Sequence, residues 1–151
     1  MNNESRRVLA VDSGAERIGL AISDLTGTIA NPLRVIKHVK RGIDAEVIVS
    51  IATENDVVKI VVGQAFYEDG TPNPSGRKSA RLAEAIQKMT NIPVILWDES
   101  ESTQIARKAR EELGVVKKKR RGHMDDLAAT VILQTFLDAN KDMDGSYSKL
   151  E

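Results

Sequence analysis

The fold is decided by two short stretches near the amino terminus, Val8-Leu9-Ala10-Val11-Asp12 and Ile18-Gly19-Leu20-Ala21-Ile22-Ser23. The first is a continuous apolar run that ends on an acid, which is typical of a buried strand. The second alternates with a period of two, which predicts another strand. The connection over residues 13–16 is short enough for an antiparallel hairpin. With a third strand over 33–39, the chain opens as three antiparallel strands and not as a βαβ unit.

Helical and strand-like patterns alternate along the rest of the chain. The predicted elements are a helix over 43–52 that stops near Asn55, a strand over 57–62 covered on both faces, a helix capped by Ser75, a strand over 93–97, a helix from Ser100 or Ser102 to Leu113, and a helix over 124–139. The order βββ-α-β-α-β-α-α predicts an α/β fold of three layers around a mixed five-stranded sheet. This is the order of the ribonuclease H-like architecture.

Length and composition favour one domain and exclude several classes of site. The 151 residues carry 22 basic and 22 acidic side chains, and we expect a single domain over 1–139 with a polar tail over 140–151. The chain has no cysteine, which excludes disulfides, a thiol nucleophile and a thiolate zinc site. No apolar run has the length of a membrane span, and the first residues do not resemble a signal peptide. We therefore expect a cytoplasmic protein without a membrane partner.

Acidic residues lie at the ends of three predicted elements, at positions typical of catalytic or ligand-binding groups. Asp12 ends the first strand, Asp98 and Glu99 end the last, and Asp125 opens the final helix. Because ligands bind beyond the carboxyl ends of parallel strands, Asp12 and Glu99 are expected to meet in one crevice. Each acid also has an ordinary structural explanation, an Asx turn for Asp12 and a favourable helix dipole for the others.

Helical geometry is used to choose between Asp125 and Asp126. An apolar stripe is predicted from five positions: Met124, Leu127, Ala128, Val131 and Thr135. Asp125 lies on the flank of that stripe and Asp126 opposite it, so Asp125 is the expected site residue. Leu133 and Leu137 lie on the side of Asp126, where they indicate either a partner contact or a second layer of packing.

Three clustered carboxylates repel one another and normally require a cation. In a chain without thiolates and with only His38 and His123, the expected ion is Mg²⁺ or Mn²⁺. Two such ions held by Asp12, Glu99 and Asp125 suit the hydrolysis of phosphodiester bonds. The sequence therefore predicts a metal-dependent nuclease.

Four blocks of sequence resemble the YqgF family of Holliday junction resolvases and pre-16S rRNA nucleases. They are the segments 12–24 (DSGAERIGLAISD), 61–71 with Val-Val-Gly and Asp-Gly-Thr, 98–103 with Asp-Glu and Ser-Thr, and 125–134 with Asp125, Ala-Ala and Ile-Leu-Gln. The resemblance implies a ribonuclease H-like fold and a cytoplasmic, metal-dependent nuclease. It also implies that the acidic site residues are Asp12, Glu99 and Asp125.

The chain departs from the family pattern beside these acids. Ala15 and Glu16 replace the usual Thr and Lys, and Gln64 and Ala65 replace a usual Leu-Pro. Ser100 stands where the family usually has Arg, and an acid, Glu101, follows it. The loss of a cation and the gain of an anion lower the local attraction for phosphate.

A basic segment precedes the last predicted helix. Between residues 107 and 123 there are eight basic side chains and two acidic ones, and five of the basic ones are consecutive: Lys117, Lys118, Lys119, Arg120 and Arg121. This run is either a solvated loop or a clamp for a nucleic-acid backbone, and its nearness to Asp125 favours the clamp. Arg17 is expected near the hairpin turn, with Asp24 as the favoured partner and substrate phosphate as the alternative. No role is assigned to His123.

Two functions of different classes remain open from the sequence. The first is a nuclease acting on structured RNA or on DNA junctions, and junction resolution would require two active sites and hence a homodimer. The second is a non-catalytic nucleic-acid-binding factor that keeps the fold, which Ser100 and Glu101 favour. A nucleotide-binding domain of the sugar-kinase or actin type is set aside, because that architecture needs two domains.

Overall fold

A computed structural model describes residues 4–99 and 124–141, with the side chains of the second range described from 127 to 140. The elements are β1 (Arg7–Ser13), β2 (Arg17–Ser23), β3 (Ala30–Lys37), α1 (Arg41–Glu54), β4 (Val57–Gln64), α2 (Pro74–Gln87), β5 (Val94–Asp98) and α3 (Met124–Lys141). The strands form one sheet in the order β3-β2-β1-β4-β5. The first three are antiparallel, and β4 runs parallel to both β1 and β5. The predicted mixed five-stranded sheet is confirmed.

Strand alternation divides the side chains between two cores, one on each face of the sheet. In β1, Leu9 and Val11 are buried against α1 and α2, whereas Val8 and Ala10 are buried against α3. The same alternation continues in β4, where Ile60 and Val62 face one core and Val61 the other. A strand covered on both faces must be apolar at nearly every position, which explains its continuous β-branched run.

Helices α1 and α2 cover one face of the sheet. The side chain that caps the amino terminus of α2 is not the predicted one. Helix α1 ends at Glu54 with Asn55 as its C-cap, as the sequence predicts. Helix α2 begins at Pro74, and the Asn73 side chain accepts a hydrogen bond from the Gly76 amide (2.7 Å). The prediction that Ser75 caps this helix is wrong. Asn73 takes the position because proline is preferred immediately after the cap, where its missing N–H is not needed.

Helix α3 covers the other face, and its packed side differs from the predicted one. The side chains that it buries on the sheet are Ala129, Ile132, Leu133, Phe136 and Leu137. This stripe is centred about 150° around the helix from the predicted stripe, at 100° per residue. Leu127, Ala128, Val131 and Thr135 are only half-buried. The prediction is wrong because the larger apolar side chains lie on the side that carries Leu133 and Leu137, which therefore mark packing against the sheet.

The remaining sequence predictions differ from the structure mainly at element ends. Strand β3 occupies 30–37, whereas 33–39 was predicted, and α3 continues to Lys141, two residues into the predicted tail. The predicted helix from Ser100 or Ser102 to Leu113, the basic segment and the rest of the tail lie outside the described residues. In the described ranges, no helix combines the length and the apolar character that crossing a membrane requires.

The β2–β3 turn is organised by the carboxylate of Asp24. It accepts hydrogen bonds from the Thr26 hydroxyl (2.6 Å) and from the amides of Thr28 (2.8 Å) and Ile29 (3.0 Å). These bonds, that of Thr26 first, lower the pKa of Asp24 from 3.8 to about 2. Because the folded state favours the charged form, the stabilisation is complete above the ordinary pKa and is lost as the pH falls toward 2.

We expect Asp24→Asn to lower the stability at pH 7 by about 1 kcal/mol, since an amide oxygen replaces a charged acceptor. Urea unfolding of both proteins at pH 7, 4 and 2.5 measures the difference. The difference should be constant from pH 7 to about pH 5 and should shrink at pH 2.5. A gap that is the same at pH 2.5 as at pH 7 would contradict the assignment.

Candidate active site

Asp12 lies near the carboxyl end of β1 on the face covered by α3. It continues the alternation of Val8 and Ala10, which both belong to the core under that helix. Its partner in β2 is Gly19. On its other side lies β4, where Val62 is the partner of Val11, so the next residue, Gly63, lies beside Asp12. The half-buried Asp12 therefore stands between two positions that have no side chain of their own.

Glu99 directs its carboxylate over β4 from the end of β5. Its amide donates a hydrogen bond to the Gln64 carbonyl (3.0 Å), which holds the chain beside β4. A Cβ built on Gly63 would lie 2.8 Å from Glu99 Oε1 and 2.7 Å from Ile132 Cδ1. The carboxylate therefore occupies space that exists only because residue 63 is glycine. Since β4 lies between β1 and β5, the backbones at Asp12 and Trp97, both in register with Gly63, are about 10 Å apart, at about 4.8 Å per strand, and Glu99 lies two residues beyond Trp97.

Asp98 and Glu99 are neighbours in the chain but not in environment. Asp98 is exposed and continues the face of Val94, whereas Glu99 is half-buried on the face of Ile95 and Trp97. Burial raises the pKa of Glu99, and the negative charge of Asp98 raises it further. A carboxyl group in this state is one that a nearby cation would stabilise in its ionised form.

Contacts with α3 fix the wall of this site. The indole of Trp97 donates a hydrogen bond to Thr135 Oγ1 (3.1 Å) and meets the Phe136 ring edge to face, with centroids 5.2 Å apart. Ile132 reaches Gly63 at the carboxyl end of β4, whereas Phe136 lies near Lys59 Nζ at its other end. The amino terminus of α3 is therefore directed toward the edge that carries Asp12 and Glu99.

Asp125 lies in the first turn of α3, and its side chain is outside the described part of the chain. Position 125 is two helical turns before Ile132, so its backbone is near the same edge of the sheet. Around the helix axis, the centre of the buried stripe falls midway between positions 125 and 126, roughly 50° from each. The geometric argument that separated Asp125 from Asp126 is thus wrong, because it used the wrong stripe. The choice of Asp125 depends on the family resemblance.

Arg17 lies at the same edge, at the start of β2, where it is exposed. Its expected partner Asp24 follows the opposite end of the strand, roughly 23 Å away at about 3.3 Å per residue. The favoured pairing with Asp24 is therefore wrong, and the strand itself separates the two. Of the predicted nucleic-acid-binding residues, Arg17 is described, and Lys117 to Arg121 lie outside the described residues.

The arrangement fits a hard divalent cation. Among the described side chains, no three from His, Cys, Asp and Glu group closely enough to form a metal site. Asp12 and Glu99 are the two carboxylates of the predicted trio that are described, and they share one face on either side of a glycine. Carboxylate oxygens are the ligands that Mg²⁺ and Mn²⁺ prefer. The position of the Glu99 carboxylate over Gly63 and its raised pKa both match a site that a cation would complete.

Sequence reasoning missed the part that Gly63 plays in this site. The available signal was the position of the glycine, directly after the buried run 57–62 and at the edge where the acids were expected. A glycine at the carboxyl end of a central strand marks a close approach by another group. Here that group is the side chain of Glu99.

Comparison with known proteins identifies the family of this chain. A model of the RuvX family, described as Holliday junction resolvase, matches residues 6–139. The chain belongs to the RuvX family. This confirms the resemblance stated from the sequence, since YqgF is another name for the same family.

Relatives with curated names cover most of the chain. A protein of Thermoanaerobacter pseudethanolicus is 40% identical over 136 residues, which cover 89% of this chain and 98% of the relative. A protein of Clostridioides difficile is 39% identical over 132 residues, or 87% of this chain and 94% of the relative. Both carry the name "Putative pre-16S rRNA nuclease". The prediction of a nuclease is confirmed at the level of the family.

Solved structures confirm the ribonuclease H-like fold. RuvC of Thermus thermophilus in complex with a Holliday junction superposes with a TM-score of 0.57 at 17% identity, over 90% of this chain and 96% of that one. The fowlpox virus resolvase with junction DNA gives a TM-score of 0.51 at 14% identity, over 88% and 97%. At these identities the likeness concerns the fold of this RuvX-family protein.

Proposed function

We propose that this RuvX-family protein hydrolyses phosphodiester bonds in structured RNA, with pre-16S rRNA as its substrate, in the cytoplasm. The substrate class is supported by the names of relatives that are about 40% identical over nearly their whole length. The observation that carries the chemistry is the approach of Glu99 over Gly63, on the face and at the edge where Asp12 lies. Carboxylates at the ends of two separate strands, β1 and β5, are thereby held on one face and at one edge of the sheet.

Asp12, Glu99 and Asp125 are the proposed ligands of two Mg²⁺ or Mn²⁺ ions. When bound, such ions provide Lewis acidity toward a water molecule and toward the phosphate oxygens. Asp12 and Glu99 contribute charge and orientation, because β1 and β5 hold them at fixed positions across β4. Burial raises the pKa of Glu99 and the charge of Asp98 raises it further, so a bound cation would favour the ionised form of this carboxyl group. Arg17, at the same edge, is proposed to bind a substrate phosphate.

The basic run Lys117 to Arg121 is proposed to bind the nucleic-acid backbone beside these acids. We expect the triple variant Lys117→Gln/Lys118→Gln/Lys119→Gln to weaken RNA binding and to reduce the slope of log affinity against log salt by roughly 2, at about 0.7 to 0.9 per phosphate contact. Fluorescence anisotropy with labelled RNA in chelator measures both. Unchanged affinity at low salt would reject the role.

A cleavage assay tests the proposed function. Purified protein is incubated with a labelled precursor-type RNA duplex carrying a single-stranded tail and with a four-way DNA junction, in Mg²⁺, in Mn²⁺ and in chelator. We expect cleavage of the RNA with either ion and none in chelator. The Asp12→Asn variant, purified in parallel, excludes a contaminating nuclease. Retained binding without cleavage under every condition would instead favour the non-catalytic binding factor.

Junction resolution is a second candidate, because the matching family model is described as Holliday junction resolvase. Symmetric cutting of a four-way junction requires two active sites at once, so this activity is proposed only together with a homodimer. Paired cuts in the junction and a dimer mass in light scattering would support it. Preferential cleavage of the RNA by a monomer would exclude it.

A further inference from the structure

A cavity of about 440 Å³ opens on the face of the sheet opposite Asp12 and Glu99. It lies between the β1–β2 hairpin and the amino-terminal ends of α1 and α2. Ile18, Leu82 and the exposed Val39 form its apolar floor, and Ser13 and Ser75 also line it. Pockets that bind small molecules typically measure about 300 to 1,000 Å³, so the cavity has the size of a ligand site.

Four basic side chains surround this cavity: Lys40, Arg41, Lys78 and Arg81. Across residues 4–99 and 127–140, none of the four forms an ion pair or a side-chain hydrogen bond. The one acid in the lining, Asp44, is already engaged by the Val39 amide (3.0 Å) and by His38 Nδ1 (2.5 Å). The lining therefore carries four cationic side chains against one carboxylate, which leaves a net positive charge.

The amino terminus of α1 adds to this charge. Lys40 is its N-cap, and no side chain caps the amides of the first turn. Uncapped amides at the start of a helix carry partial positive charge and bind anions. Because Lys40 and Arg41 also line the cavity, the helix end and the basic side chains act on the same space.

We propose that the cavity binds a nucleoside phosphate, with the phosphate at Lys40, Arg41, Lys78 and Arg81 and the base or sugar on the apolar floor. A simple inorganic anion would need the cations but not an apolar floor, and a lipid would need a longer apolar groove. The ligand is either a free nucleotide or one nucleotide of a bound strand. Binding of a nucleotide within a bound strand rests on the proposed function.

The position of the cavity favours the bound strand. Ser13 lines the cavity, and Asp12, the preceding residue, faces the opposite side of the sheet. A strand whose scissile phosphate lies at Asp12 can therefore cross the hairpin over residues 14–16 and place a nearby nucleotide in the cavity. The two sites would then hold one RNA at two points.

The test compares charge removal, steric blocking and a matched control. Lys78→Gln/Arg81→Gln removes two cations from the cavity, and Ser75→Trp fills it without changing the charge. Lys88→Gln/Arg34→Gln removes two exposed cations elsewhere and keeps the net charge equal to that of the first variant. Binding of AMP is measured by calorimetry and binding of a labelled tailed RNA by anisotropy, both in chelator, so that a failure of the nuclease proposal leaves these readouts intact.

We expect the charge variant and Ser75→Trp each to weaken RNA binding about tenfold, with the control unchanged. The salt slope should fall by about 1.4 in the charge variant, for two contacts at about 0.7 each on a single strand. Loss of AMP binding alone in both variants would assign the cavity to a free nucleotide. Weakening by charge removal without any effect of Ser75→Trp, or no effect of either variant on either ligand, would overturn the proposal.

Discussion

Asp12→Asn is expected to lower the metal-dependent cleavage rate by at least about 10³-fold, because it removes a proposed ligand of the catalytic ions. The substitution keeps the shape of the side chain and deletes its charge. Since Asp12 shares its edge of the sheet with Glu99, removing one negative charge also reduces repulsion between them. The folded structure is expected to be retained while activity is lost.

A matched control separates this effect from a general loss of charge. Asp98→Asn removes a carboxylate next in the chain to Glu99 but on the other face of the sheet. We expect it to change the cleavage rate by no more than about twofold, far less than the loss of a group that contacts the ions. Equal losses in Asp12→Asn and Asp98→Asn would contradict the assignment of the site to the α3 face.

Gly63→Ala is expected to lower the cleavage rate by about 10²-fold with only a small loss of stability. The new methyl group would lie 2.8 Å from Glu99 Oε1 and 2.7 Å from Ile132 Cδ1. Both atoms are at the ends of flexible side chains, which can turn away at a cost of about 1 kcal/mol. The carboxylate of Glu99 is then displaced from its place over β4, which affects catalysis more than folding.

Single-turnover cleavage and urea unfolding of the same preparations measure the two effects. Gly42→Ala is the control, because a Cβ there meets nothing within 4 Å. It should leave cleavage unchanged and stabilise α1 by up to about 1 kcal/mol. Full activity of Gly63→Ala would mean that Glu99 does not need its position above Gly63.

The mixed five-stranded sheet was predictable because the determining patterns are local. The run from Val8 to Asp12, the alternation from Ile18 to Ser23 and the β-branched run 57–62 each report on one strand and on whether one or two of its faces are covered. The shared edge of Asp12 and Glu99 followed from the parallel arrangement of β1, β4 and β5. These conclusions depend on strand direction and periodicity alone.

The three errors have different physical causes. The stripe of α3 was misassigned because an apolar count gave Thr135 and Ala128 the same weight as Phe136 and Leu137, whereas a broad sheet selects the side with more buried area. The partner of Arg17 was misassigned because Arg17 lies at the hairpin turn, whereas Asp24 follows the other end of β2. The helix cap was misassigned because Ser75 and Asn73 both have capping side chains, and Pro74 decides between them.

The alternation of side chains between the two faces of β1 limits how this protein can change in evolution or by design. Asp12 and Ser13 are consecutive residues, yet one belongs to the acidic edge and the other to the basic cavity. Inserting or deleting a single residue between Val8 and Asp12 would rotate the aspartate to the wrong face. Substitutions in β1 can therefore accumulate, but its length is constrained to change by two residues at a time.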